Sequence, residues 1–163
     1  MTDQQILDIV TKQEEVLVFD HFTNEDAWDV GNTLVKEAKE GGFAPAIEIK
    51  LNSGYTVFKY GFPGTGLNHD HWLTRKERVA KLHMASTMKV DYLLKTAGAA
   101  MTDWYMDPME YSTCPGAFPI NVKGVGMIGL IMVSGISVLT DHDLIVGALM
   151  KYLGVTDLER IQD

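Results

Sequence analysis

Trp72, Arg75, Lys76, Val79, His83 and Ser86 recur at helical spacing, so cations interrupt one face that would otherwise be a buried stripe. A buried cation needs a partner. Two are open: an anionic ligand, carboxylate or phosphate, helped by the helix N-terminus nearby, or a structural salt bridge to an acidic side chain such as Asp141 or to a neighbouring subunit. His142 stands between Asp141 and Asp143 at a helix start. There a carboxylate would raise its pKa and poise it as ligand or general acid/base, or it would be a hydrogen-bonded first-turn residue.

Other constellations carry less chemistry. His69-x-His71 with Asp70 offers metal-ligand atoms, but residues two apart diverge on a helix and no HExxH or cysteine cluster accompanies them, so no metal site is expected. Gly61-Phe62-Pro63-Gly64-Thr65-Gly66 joins a strand to a helix without the Lys-Ser/Thr of a phosphate loop and reads as a shaped turn. Ser134 lacks the flanking glycine pattern of a nucleophile elbow. Cys114-Pro115 is a dipeptide that some haem-sensing proteins use, with thiolate as a soft iron ligand; chance explains it here. Met101, Trp104, Tyr105, Met106, Met109 and Tyr111 are too apolar for a solvated loop and point to a subunit interface, hence a homo-oligomer of at least two chains.

The elements that must position these residues follow from caps and periodicity. Thr2-x-x-Gln5 opens a helix to about Glu14, Val16 to Phe19 reads as a first strand, and Thr23-x-x-Asp26 opens a second helix that Gly41-Gly42 ends. Ala46 to Leu51 alternates as a half-exposed strand and turns through Asn52-Ser53-Gly54 into Tyr55 to Tyr60. A single long helix is expected from about Asp70 into the mid-90s, then an irregular stretch to Cys114. Phe118 to Val122 and Val125 to Ser134 form a second hairpin, whose last strand is apolar on both faces: Val125, Met127, Ile131 and Val133 on one, Ile128, Leu130 and Met132 on the other. Thr140-x-x-Asp143 caps a final helix that stops at Gly154. A doubly covered antiparallel sheet demands helices above and below, so the fold class is α/β, a three-layer α/β/α sandwich around about five strands.

Length and composition set the bounds. The 163 residues suit one domain, 1–163, with its own core, and the lone cysteine excludes an intrachain disulfide. No basic segment followed by an apolar run opens the chain, and the longest apolar run, Met127 to Val133, is too short to span a bilayer, so a cytoplasmic protein without membrane contact is expected. Fourteen basic against 22 acidic side chains give a net charge of -8, which repels nucleic-acid phosphates.

Two segments, Asn68 to Lys76 and the glycine-punctuated series from Gly116-Ala117-Phe118-Pro119-Ile120 to Asp141-His142, resemble the UPF0303 branch of the HbpS/GlcG-like haem-degrading domain family (DUF336). Asn68-His69-Asp70-His71-Trp72-Leu73-Thr74-Arg75-Lys76 looks like that family's N-x-x-W-x-x-R-K motif. Gly116-Ala117-Phe118-Pro119-Ile120, Gly126-Met127-Ile128-Gly129, Val133-Ser134-Gly135 and Asp141-His142 resemble its G-A-F-P-I, G-x-I-G, V-S-G and D-H series, with Cys114-Pro115-Gly116 where a glycine pair is usual. The resemblance implies a profilin-like, GlcG-like sandwich and raises haem as a candidate ligand. Resemblance and residues together favour an oligomeric domain binding a small anionic ligand near Asn68, Trp72, Arg75, Lys76 and His142. Two further readings stand: an enzyme on a small carboxylated metabolite, with His142 as acid/base and Arg75 as clamp, and a non-catalytic assembly or adaptor protein.

Overall fold

The computed structural model describes residues 1–162. Helix α1 spans Asp3–Val16 and α2 Asn24–Glu40; strands β1 (Ala46–Leu51) and β2 (Thr56–Gly61) follow, then α3 (Leu67–His83), α4 (Thr87–Ala97), a 3₁₀ turn at Met101–Trp104, β3 (Ala117–Val122), β4 (Gly126–Ser134) and α5 (Val138–Leu153). The strands form one antiparallel sheet in the order β2-β1-β4-β3. Helices α2 and α5 cover one face, where Val30, Leu34, Ile47, Ile49, Phe118, Ile131 and Ile145 meet. Helix α3 covers the other, with Leu73 and Ala80 against Ala117, Leu130 and Met132. Helices α4 and α1 pack on each other through Val10, Met88 and Tyr92, with α4 against α3 and β3 and α1 reaching α5 through Gln13 and His142. This is the expected three-layer sandwich, with four strands rather than five.

The missing strand has a local cause. Helix α1 continues through Val16, past the expected end near Glu14, and leaves only Phe19 to pair, by a single parallel bridge to Val122. The long helix expected from Asp70 is two helices. Met84 takes a left-handed conformation (φ 51°) that ends α3, and the Ser86 hydroxyl accepts the Lys89 amide at 3.1 Å to start α4. The final helix begins earlier than expected, because Ser137 is the cap and accepts the Thr140 amide at 3.3 Å. The capping boxes at Thr2 and Thr23 form as expected.

The sheet also departs from simple alternation. A bulge opposite Ile120 and Asn121 inserts one residue into β4, which puts Met127 with Leu130 and Met132 and Ile128 with Ile131 and Val133. Glu48 and Lys50, expected at a half-exposed face, lie under α3: Glu48 is buried and Lys50 reaches Glu77 at 2.9 Å. Burial of these charges is sustained by a network that includes the Thr56 hydroxyl on Glu48 at 2.8 Å.

Candidate functional site

Helix α3 turns two consecutive cations in different directions. Lys76 points inward, 1% exposed, and its ammonium donates to the Val133 carbonyl at 2.9 Å and to Asp141 Oδ2 at 3.0 Å. Asp141 Oδ1 accepts the Ile136 amide at 3.0 Å, so one carboxylate ties α3 to the β4–α5 turn. Burial pushes the Asp141 carboxyl above its usual range, and Lys76 draws it partly back. Gly116 makes room for the pair. It sits at φ +127°, and a Cβ there would lie 2.6 Å from Lys76 Nζ and against the Val133 carbonyl. The salt bridge to Asp141, one of the alternatives open in the sequence, is therefore present.

Above this pair lies a cleft of about 360 Å³. One wall is the first turns of α3, with Asn68, His69 and Trp72; the other is the end of β4 and the start of α5, from Ser134 to Val138, with Cys114 alongside. Lys76 and Asp141 line it as well. Two helix N-termini thus face one concavity, with the third amide of each already taken, His69 by the Gly66 carbonyl at 2.9 Å and Thr140 by the Ser137 hydroxyl at 3.3 Å. Ser134, 5% exposed, lines it at the end of β4. The Cys114 thiol is raised by burial above its usual range, which keeps it protonated and a poor metal ligand near neutrality.

Arg75 and His142 do not line this cleft. The Arg75 guanidinium lies 4.8 Å from the Trp72 ring centroid and donates to the carbonyls of Pro108 at 2.7 Å and Tyr111 at 3.4 Å, bracing the 108–111 segment behind the tryptophan. His142 is fully buried, and its Nε2 lies 2.8 Å from Gln13 Oε1. Gln13 donates its own amide to the Glu159 carbonyl at 2.8 Å, so Oε1 faces the ring and Nε2 must carry the proton. Nδ1 is left buried without a partner. Burial pushes the His142 pKa down to about 3, opposite to the rise expected from its two aspartate neighbours. Those carboxylates point elsewhere, Asp141 to Lys76 and Asp143 to Arg160, which it meets through two 2.7 Å bonds.

The Met- and aromatic-rich segment divides. Met106 is buried with Val79, Val90 and Leu94, and Met101, Trp104 and Tyr111 pack partly against that cluster. Tyr105 and Met109 remain 96% and 76% exposed. One cleft residue was misplaced by the motif: counting back from Trp72, the asparagine of N-x-x-W falls at position 69, where this chain has His69, and Asn68 precedes it. That count was the signal available. A second concavity, of about 390 Å³, lies beside Arg160, but its guanidinium is already committed to Asp143. Among the described residues no cluster of His, Cys, Asp or Glu could hold a metal ion, and no helix is long and apolar enough to cross a membrane.

The family model described as "Haem degrading protein HbpS-like" matches residues 22–150. A UPF0303 protein of Serratia proteamaculans is 37% identical over 151 residues, which cover 92% of this chain and 93% of that one. Among solved structures, the Ybr137w protein superposes with a TM-score of 0.84 at 24% identity, over 92% of this chain and 89% of its own. A structure of a PduOC:heme complex superposes with a TM-score of 0.66 at 18% identity, over 86% and 99%. Both structural likenesses are ones of fold.

Proposed function

We propose that this chain, which belongs to the HbpS-like family and its UPF0303 branch, binds a small oxyanion in the cleft between α3 and α5. The observation that carries the reading is a surplus of donors. Lys76 has three N–H groups and two are committed, Asp141 spends its acceptors on Lys76 and the Ile136 amide, and two helix N-termini face the same space. Trp72 supplies an apolar wall for the rest of the ligand. The volume is at the small end of ligand pockets and suits a carboxylated metabolite, or one propionate arm of haem, the ligand that the family's description raises. Ligand contacts fall to Asn68, Trp72 and Lys76, while Arg75 and His142 support them from behind. Self-association in this reading runs through Tyr105 and Met109, the large apolar side chains the 101–111 segment leaves in solvent.

Isothermal titration of wild type and Val138→Asp with citrate, phosphate and haem tests the site. Val138 is 53% exposed in the first turn of α5, where an aspartate suits the helix dipole but would repel an anion at the cleft mouth. The expected result is saturable binding of at least one probe by wild type, at least tenfold weaker in Val138→Asp, with melting temperature unchanged. Absence of binding to all three, or equal binding by the variant, refutes the proposal.

A further inference from the structure

The cleft contains one side chain whose protonation pattern is set by the fold. Gly66 precedes the first residue of α3, and its amide donates to His69 Nδ1 at 3.1 Å. Three residues into a helix this is the place where Glu or Gln reaches back to the capping residue's amide, and here an imidazole fills the role. A ring nitrogen that accepts a hydrogen bond is unprotonated, so in the neutral ring the proton resides on Nε2. That nitrogen lies over Gly135, on the opposite wall: a Cβ at Gly135 would be 3.1 Å from Nε2 and 3.0 Å from Cδ2. Gly135, at φ +120°, is the residue that lets the ring settle across the cleft.

We infer that His69 is a specificity-determining residue of this cleft, one that presents Nε2–H as a fixed hydrogen-bond donor to an oxyanion and does not ligate iron while its cap bond stands. The inference rests on the proposed anion site and names its selectivity. A nitrogen carrying a proton has no lone pair for a metal, so any haem bound here is held by its carboxylates, with no axial bond from His69. Ser134, 5% exposed, lines the same cleft and adds a hydroxyl to its polar lining. A neutral ligand with donors only would meet a site already rich in donors. A carboxylate or phosphate meets His69 Nε2–H, Lys76 and the α5 amides together.

The test uses two isosteric choices at one position. His69→Gln keeps an acceptor for the Gly66 amide and a donor for the cleft; His69→Glu keeps the acceptor, and suits a helix N-terminus, but has no donor and adds a negative charge. With citrate as probe, His69→Gln should bind within about threefold of wild type and His69→Glu at least thirtyfold more weakly, both with unchanged melting temperature. Nitrogen-15 chemical shifts of the His69 ring should report the Nε2–H tautomer. With haem as probe, the visible spectrum should be the same for wild type and His69→Gln. Wild-type-like citrate binding by His69→Glu, an Nδ1–H tautomer, or a haem spectrum that loses a nitrogen ligand in His69→Gln would overturn the inference while Val138→Asp still reports on the site. If wild type binds none of the probes, the anion site itself fails.

Discussion

His142 gives the sharpest quantitative test of the interior. Its ring is fully buried, its Nε2 proton is committed to Gln13, and a second proton on Nδ1 would find no acceptor. The folded pKa is therefore pushed down to about 3 from 6.5. A group whose folded pKa is depressed contributes stability above its unfolded pKa and loses it as pH falls, because the unfolded chain takes up the proton and the folded one does not. At pH 5 this linkage removes about 2 kcal/mol relative to pH 8, for a histidine that titrates near 6.5 when unfolded. In a domain of this size that is about 4 to 8 °C of melting temperature. His142→Gln replaces the Nε2 donor by an amide donor to Gln13 and does not titrate. Thermal unfolding followed by far-UV dichroism at pH 8, 6 and 5 should show wild type losing about 4 to 8 °C more than the variant between the extremes. Carboxylates and His83, also depressed by burial, titrate in both proteins and cancel. Parallel pH profiles, or a steeper fall in the variant, would mean His142 is not buried neutral.

Lys76→Met leaves the Asp141 carboxylate buried without its cation and should cost about 3 to 5 kcal/mol, while Lys76→Met with Asp141→Leu should recover most of that loss, as denaturant unfolding of the three proteins will show. Because losing Lys76 raises Asp141 further, the deficit of the single variant should shrink as pH falls from 7 toward 5, and a growing deficit would contradict the pairing. Gly116→Ala should destabilise by at least about 1 to 3 kcal/mol from backbone strain alone, with crowding against Lys76 added, measured by the same unfolding curves. Tyr105→Ser with Met109→Ser should lower the sedimentation coefficient of any oligomer and leave the melting temperature of the dissociated chain intact; unchanged association would remove this surface from the proposal.

How much of this was legible in the sequence depends on how far apart the deciding residues lie. Caps at Thr2 and Thr23 are settled within four residues, and both were readable. The start of α5 was not, because Ser137-x-x-Thr140 and Thr140-x-x-Asp143 are overlapping frames of the same signal. The choice between them goes with Asp143, which pairs with Arg160 instead of capping. The break at Met84 carries no glycine or proline, and only the serine at position 86 marks it.

The site shows the same limit more plainly. Periodicity placed Arg75 and Lys76 near one buried stripe, but adjacent residues on a helix are about 100° apart and one-dimensional spacing cannot choose between them. The sheet chooses: Val133 and Asp141, each more than fifty positions away, satisfy an inward Lys76, and Arg75 turns to the 108–111 backbone. The same angle misleads at Asp141-His142-Asp143, where sequence adjacency suggests two carboxylates acting on one imidazole. On the folded helix the three side chains diverge to three different partners, Lys76, Gln13 and Arg160, so the histidine meets burial where charge was expected. Its pKa consequently moves down, and a residue that reads as an acid/base group becomes a neutral strut between α5 and α1. The cleft lies one turn of α5 away, at the residues that end β4 and begin that helix, and of the motif side chains it is lined by Trp72 and the Lys76–Asp141 pair, whereas Arg75 and His142 turn to other partners.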